Sequence, residues 1–110
     1  MSDELQLQSL LDVSPAATLG EEGGVVYVLM PKTKLQTPAG IEVMDVVLCP
    51  RGQGSYATRL LLDRKVESKP GLNWQAVPLI KRIWHTFSWN HISANQPWVM
   101  IFAEHARVLR

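Results

Sequence analysis

The stretch "LCPRGQGSYATRLLLD", residues 48–63, decides how the rest of the chain is read. An apolar end, Leu48-Cys49, runs into Pro50 and a glycine-rich segment, and a second apolar run, Leu60-Leu61-Leu62, follows. Proline and closely spaced glycines punctuate local structure, so the segment reads as a strand, a turn and a second strand. Upstream, "IEVMDVVLC" (41–49) begins with alternation: Ile41, Val43 and Asp45 fall on one face, and Glu42, Met44 and Val46 on the other. Its end is apolar on both faces, which predicts burial on both sides there. Downstream, "YATRLLLD" (56–63) is the partner strand.

Further towards the N-terminus, "VVYVLM" (25–30) is rich in β-branched and aromatic residues and predicts another strand. "PKTKLQTPAG" (31–40) reads as a polar loop, and "GEEGG" (20–24) as a turn. Ser2 is placed to cap a first helix, with Asp3 and Glu4 in the first turn, where the helix dipole favours acids. Leu7, Leu10 and Leu11 then form an apolar stripe. Pro15 ends that helix, because it disfavours a helical Ser14.

Towards the C-terminus, residues 64–82 have no clean period and read as a long ordered loop, packed through Val66, Leu72, Trp74, Val77, Leu79 and Ile80. "WHTFSW" (84–89) alternates as a short strand or extended arm would. A final helix is expected after Asn95, a candidate cap, with Pro97 in its first turn. Trp98, Ile101, Phe102, His105 and Leu109 share one face of it. The order is helix, three-strand antiparallel meander, long loop, aromatic arm and helix, an α+β arrangement in a single domain spanning 1–110.

Composition sets the boundaries. The 110 residues are enough for one core without staples. No apolar run approaches the ~20 residues of a membrane span, and "MSDELQLQSLLD" lacks the basic and apolar regions of a secretion signal. One cysteine fits a reducing compartment, so a cytoplasmic protein is expected. Residues 1–22 carry five acids and no Lys or Arg, whereas all eleven basic residues lie beyond them. Basic residues adjoin one another only as "RK" and "KR", and no nucleic-acid-binding motif is present, which argues against nucleic acid as a partner.

The element order and two short motifs resemble the ubiquitin-conjugating (UBC) superfamily, and more closely its divergent bacterial members encoded beside ubiquitin-like modifiers. Pro50, Arg51, Gly52 and Tyr56 stand where that family has a "PPGYP"-type turn between strands. Trp84-His85-Thr86-Phe87-Ser88 stands where it has a "W-x-x-[FW]-S" segment before the last helix. The resemblance covers about residues 24–110. It implies a UBC-like fold and a role in ubiquitin-like modification, with a ubiquitin-like protein or an activating-enzyme-like protein as partner.

The departures from the family bear on chemistry. A conjugating enzyme carries its thioester cysteine in the loop after the meander, where this chain has "ESKPGLNWQAVPL" and no thiol. Cys49 lies earlier, at the end of an apolar strand, an environment that raises a thiol pKa. The expectation is therefore a non-catalytic conjugating-like module. The alternatives are a divergent enzyme using Cys49 and a structural subunit of a larger assembly.

The remaining candidate residues are few. His85, His91 and His105 lack the tight spacings of a zinc site, so neither metal nor cofactor is expected. Ser88, a histidine and Asp63 could be combined on paper into a triad, but no nucleophile-turn motif accompanies them. The stretch "IWHTFSWNHISANQPW" (83–98) holds three of the four tryptophans and is expected to be mainly core, with a rim of His85, Asn90 and His91. Trp74 reads equally as a core plug or an exposed anchor, since Trp is enriched at binding hot spots. Asn73 could donate to an oxyanion. Trp74, Asn73, His85, Asn90 and His91 are thus the candidate partner-binding residues.

Overall fold

The computed structural model describes residues 2–110. Helix α1 (Asp3–Leu10) opens the chain, capped by the Ser2 hydroxyl, which accepts from the Leu5 amide at 3.3 Å. Six strands follow: β1 (Thr18–Glu22), β2 (Val25–Thr37), β3 (Gly40–Cys49), β4 (Arg59–Leu62), β5 (Trp74–Leu79) and β6 (Arg82–Phe87). Helix α2 (Trp98–Val108) completes the order. The strands form one antiparallel sheet in the order β1-β2-β3-β4-β6-β5. The α+β class stands, but the sheet has twice the three strands read from the sequence. Among the described residues no helix is long and apolar enough to cross a membrane.

The differences have local causes. Residues 31–37 extend β2 instead of forming a polar loop. Thr33, Leu35 and Thr37 are buried and alternate with exposed Lys32, Lys34 and Gln36, a period of two in which threonines stand at inward positions. Pro31 is accommodated at a bulge, where the register shifts between Met30 and Thr33 and Lys32 takes a positive φ of 51°. The Lys32 amide freed by the bulge donates to Asp45 Oδ1 at 3.0 Å. "GEEGG" is likewise mostly strand: Gly20 to Glu22 belong to β1, and Gly23–Gly24 alone make the turn.

The long loop expected over 64–82 is also corrected. Residues 74–79 are the edge strand β5, with Val77 and Leu79 inward and Ala76 and Pro78 outward. Proline is tolerated on an edge strand, where a missing donor breaks no essential ladder. The β5–β6 hairpin turns on Ile80 and Lys81, both at positive φ (52° and 59°). That is the backbone of a two-residue hairpin turn, built without the Asn-Gly or Asp-Gly signature that would announce it. The Glu22 carboxylate holds it by accepting from the Ile80 amide at 3.1 Å.

That last bond also describes the shape of the sheet. Glu22 ends β1 at one edge of the sheet, and Ile80 sits in the hairpin at the other edge. The sheet therefore curls until its two edges meet. Inside the curl lie Val47, Cys49, Leu61, Val77, Leu79 and Trp84, flanked by Val25, Tyr27, Leu29 and Ile80. On the opposite face both helices cover a larger core of Leu10, Val28, Met30, Leu35, Met44, Val46, Leu48, Leu60, Leu62, Phe87 and the inward side of α2.

All five residues of the expected α2 stripe, Trp98, Ile101, Phe102, His105 and Leu109, are buried. The helix start differs from expectation. Pro97, not Asn95, is the N-cap and supplies no side-chain bond. Gln6 of α1 supplies one instead, its Oε1 accepting from the Trp98 amide at 3.0 Å. Arg51 ties the turn after β3 to the same corner through an ion pair with Asp3, and its guanidinium lies 5.8 Å from the Trp98 ring centre.

Phe102 is 6 % exposed within the helix-side core. Phe102→Ala is expected to cost about 3–5 kcal/mol in a urea titration, as a large-to-small change that leaves a cavity. A loss below about 1 kcal/mol would contradict this packing.

Candidate functional site

Cys49 ends β3 opposite Arg59 in the β3–β4 ladder and has no solvent exposure. Burial pushes its thiol pKa up to about 12, against a smaller opposing pull from the Arg59 charge. A thiolate is the nucleophilic form. Cys49 is therefore packed as a small hydrophobe inside the curl, with neither the ionisation nor the access that transfer chemistry needs.

Arg59 opens β4 and is 5 % exposed, surrounded by apolar strand. Among the described residues it has no carboxylate within ion-pair distance. Neutral groups hold it instead. Nη1 donates to Gln53 Oε1 at 2.8 Å and Nη2 to Gln75 Oε1 at 2.7 Å, while the guanidinium carbon stands 4.0 Å from the Tyr56 ring centre. Its Nε has no partner among the described residues. Burial lowers the Arg59 pKa. A buried charge without a counter-charge costs several kcal/mol, about the scale seen when one partner of a buried pair is removed.

From Arg59 the polar contacts run to the surface. Tyr56 Oη lies 2.9 Å from Ser88 Oγ, Asn73 Nδ2 donates to the same oxygen at 3.2 Å, and Gln75 Nε2 donates to it as well. Ser88 follows β6, and its amide donates to the Asn73 carbonyl at 3.3 Å, which locks the two segments together. The Tyr56 phenol pKa is lowered, first by its bond to Ser88. The cluster joins the β3–β4 loop (Gln53, Tyr56), β4 (Arg59), β5 (Gln75), the residue that precedes β5 (Asn73) and the residue that follows β6 (Ser88).

The remaining candidates distribute differently. Trp74 is half-buried: it packs edge-to-face on Phe87, with ring centres 5.6 Å apart, and donates from Nε1 to the Lys69 carbonyl at 3.0 Å. It closes the helix-side core and fastens the 63–73 loop. His85 is half-buried within β6, between Leu62 and Ala76 of the neighbouring strands. Asn90 and His91 are exposed on the arm after β6, where His91 turns the chain with a φ of 74°. Beside them Trp89 is 45 % exposed and borders a shallow groove of about 380 Å³ with His91, Ile92, Glu104, Arg107 and Val108. Asn73 therefore belongs to the Ser88 cluster, whereas His91 borders this separate groove and Asn90 lies beside it in the chain. Trp84 and Trp98 are the buried tryptophans.

Sequence reasoning missed Tyr56, Arg59, Gln75 and Ser88 as a set. The available signal was Arg59 itself, a lone charge at the head of "LLL" with no acid at pairing distance along the strand.

His105 is a buried histidine on α2. Thr58 donates its single hydroxyl proton to the Ile92 carbonyl at 3.1 Å, so the same oxygen accepts from His105 Nε2 at 2.9 Å. The ring thus carries a proton on Nε2, and Nδ1 has no partner among the described residues. Burial, and secondarily the Arg59 charge, lower its pKa to about 4.

Two measurements follow from these environments. Native Cys49 should resist iodoacetamide at pH 8 and react once unfolded in urea; rapid native labelling would contradict its burial. Between pH 6.5 and about 4 the unfolded chain protonates His105 and the native chain does not. Stability contributed by neutral His105 is present above pH 6.5 and falls as the pH drops through this window. The urea midpoint should fall more steeply across it for the native sequence than for His105→Phe; parallel profiles would contradict the assignment.

Searches for similar proteins find no matching family model, no matching curated protein and no matching solved structure.

Proposed function

We propose that this chain is a non-catalytic ubiquitin-conjugating-like module of a bacterial ubiquitin-like modification pathway, which binds a ubiquitin-like modifier or an activating-enzyme-like partner. The observation that carries the reading is the combination of element order and thiol placement. The reading is supported by the order of an N-terminal helix, an antiparallel sheet and a C-terminal helix, although β5 and β6 stand where a loop was expected. The chain's one cysteine is sealed inside the sheet's curl. Exposed Trp89, Asn90 and His91 supply an aromatic and polar surface beside α2, the kind of surface on which binding energy concentrates.

The test uses the modifier and activating enzyme encoded nearest to this chain. Calorimetry should detect binding to one of them, and Trp89→Ala should weaken it about tenfold, on the order of the 1.4 kcal/mol expected for a modest hot spot. Incubation with both proteins and ATP should give no thiol-sensitive adduct on a non-reducing gel. An adduct that vanishes in Cys49→Ser would overturn the non-catalytic reading, and absence of binding to either protein would overturn the partner assignment.

A further inference from the structure

The geometry points to a carboxylate-binding site at the mouth of the Tyr56–Asn73–Gln75–Ser88 cluster, independent of the partner bound at the Trp89 surface. The argument is an accounting of protons. Tyr56 brings one O–H, Ser88 one O–H, and Asn73 and Gln75 each aim an amide N–H at Ser88 Oγ. A hydroxyl oxygen accepts at most two such bonds. If Tyr56 donates to Ser88, three donors crowd one oxygen and the Ser88 proton needs another acceptor. If Ser88 donates to Tyr56, the Tyr56 proton needs one. Either way one hydroxyl proton is left without an acceptor among these contacts, at a half-exposed position.

Charge selects an anion for the surplus. Arg59 lies behind the donors with no carboxylate at pairing distance among the described residues, 95 % removed from solvent. Its guanidinium stacks on the Tyr56 ring and donates to Gln75 Oε1, so its charge polarises two of the groups that face outward. Arg59 acts through Tyr56 and Gln75 as a positioning residue, while Tyr56, Asn73, Gln75 and Ser88 are the groups within reach of a ligand.

The form of the anion follows from the same count. One positive charge and a few neutral donors match a singly charged, acceptor-only group. A carboxylate offers two oxygens, one to take the surplus hydroxyl proton and one to take the second N–H of Asn73, whose side chain is exposed. Arg51, the nearest other arginine in the β3–β4 loop, is already paired with Asp3. The carboxylate can come from a small organic acid or from the C-terminus of a peptide. Tyr56 also borders a shallow groove whose wall includes Gly52, Gly54, Arg51, Gln53 and Ser55.

The test titrates the isotope-labelled chain with acetate and with an N-acetylated alanine pentapeptide bearing a free or an amidated C-terminus, and reads the Asn73 and Gln75 side-chain amide resonances. The expected result is a saturable shift of both with a free carboxylate and none with the amidated peptide. Asn73→Ala and Tyr56→Phe should each weaken binding at least tenfold. Comparable binding of acetate and free-acid peptide identifies a small acid as the sufficient ligand; a peptide at least tenfold tighter identifies a chain terminus. Arg59→Met should abolish the shift while the amides of Gln75 and Asn73 remain observable. If that variant unfolds, the two surface variants still decide. Unshifted amides with both carboxylates, equal binding of the amidated peptide, or wild-type affinity in Asn73→Ala and Tyr56→Phe would each overturn the proposal.

Discussion

Every other element is arranged around the fact that β4 must be covered on both faces. Its four residues, Arg59 to Leu62, are all buried, although the strand is short and joined to β6 through a single paired position. Leu60 and Leu62 point to the helices and Leu61 points into the curl. A two-layer arrangement of helices on a flat sheet would leave Leu61, Val47 and Trp84 in water. The sheet solves this by bending back on itself, and the Glu22–Ile80 bond fastens its edges. The helices then need only one face to cover, which two short helices joined by the Gln6–Trp98 bond can do.

The same double burial gives Arg59 its character. Residues alternate along a strand, so the position two before Leu61 faces the curl, where an arginine has no acidic neighbour. Gln53, Gln75 and Tyr56 surround it with carbonyl oxygens and an aromatic face, which give Nη1 and Nη2 acceptors without cancelling its charge. The charge is felt in three directions. It opposes the rise of the Cys49 pKa, adds to the fall of that of His105, and lends the surface cluster around Ser88 an electropositive backing. One buried cation thus links the sealed thiol, the core histidine and the exposed donors.

The chain separates its chemistry spatially. The thiol that would be needed for group transfer is placed where water and partners do not reach. Tyr56, Asn73, Gln75 and Ser88 on one side and Trp89, Asn90 and His91 on the other lie apart from it, towards the surface.

The sequence by itself determined the parts governed by neighbours along the chain. The Ser2 cap, the α2 stripe from Trp98 to Leu109, the fully apolar end of β3 and the buried character of Cys49 follow from spacing and composition, because i, i+3, i+4 and i, i+2 periodicities are local. Tertiary structure decided what depends on distant partners. The strand character of 31–37 rests on Thr33 and Thr37 being inward, which pairing with β3 enforces against a proline and two lysines. The β5–β6 hairpin rests on Ile80 and Lys81 accepting a left-handed backbone that neither residue favours, held by a carboxylate from β1. The Ser88 cluster draws its members from positions 53 to 88, each unremarkable in its own surroundings. Their meaning appears only when the ladders bring them beside Arg59, a charge that the sequence marks as lone but whose distant neighbours it does not name.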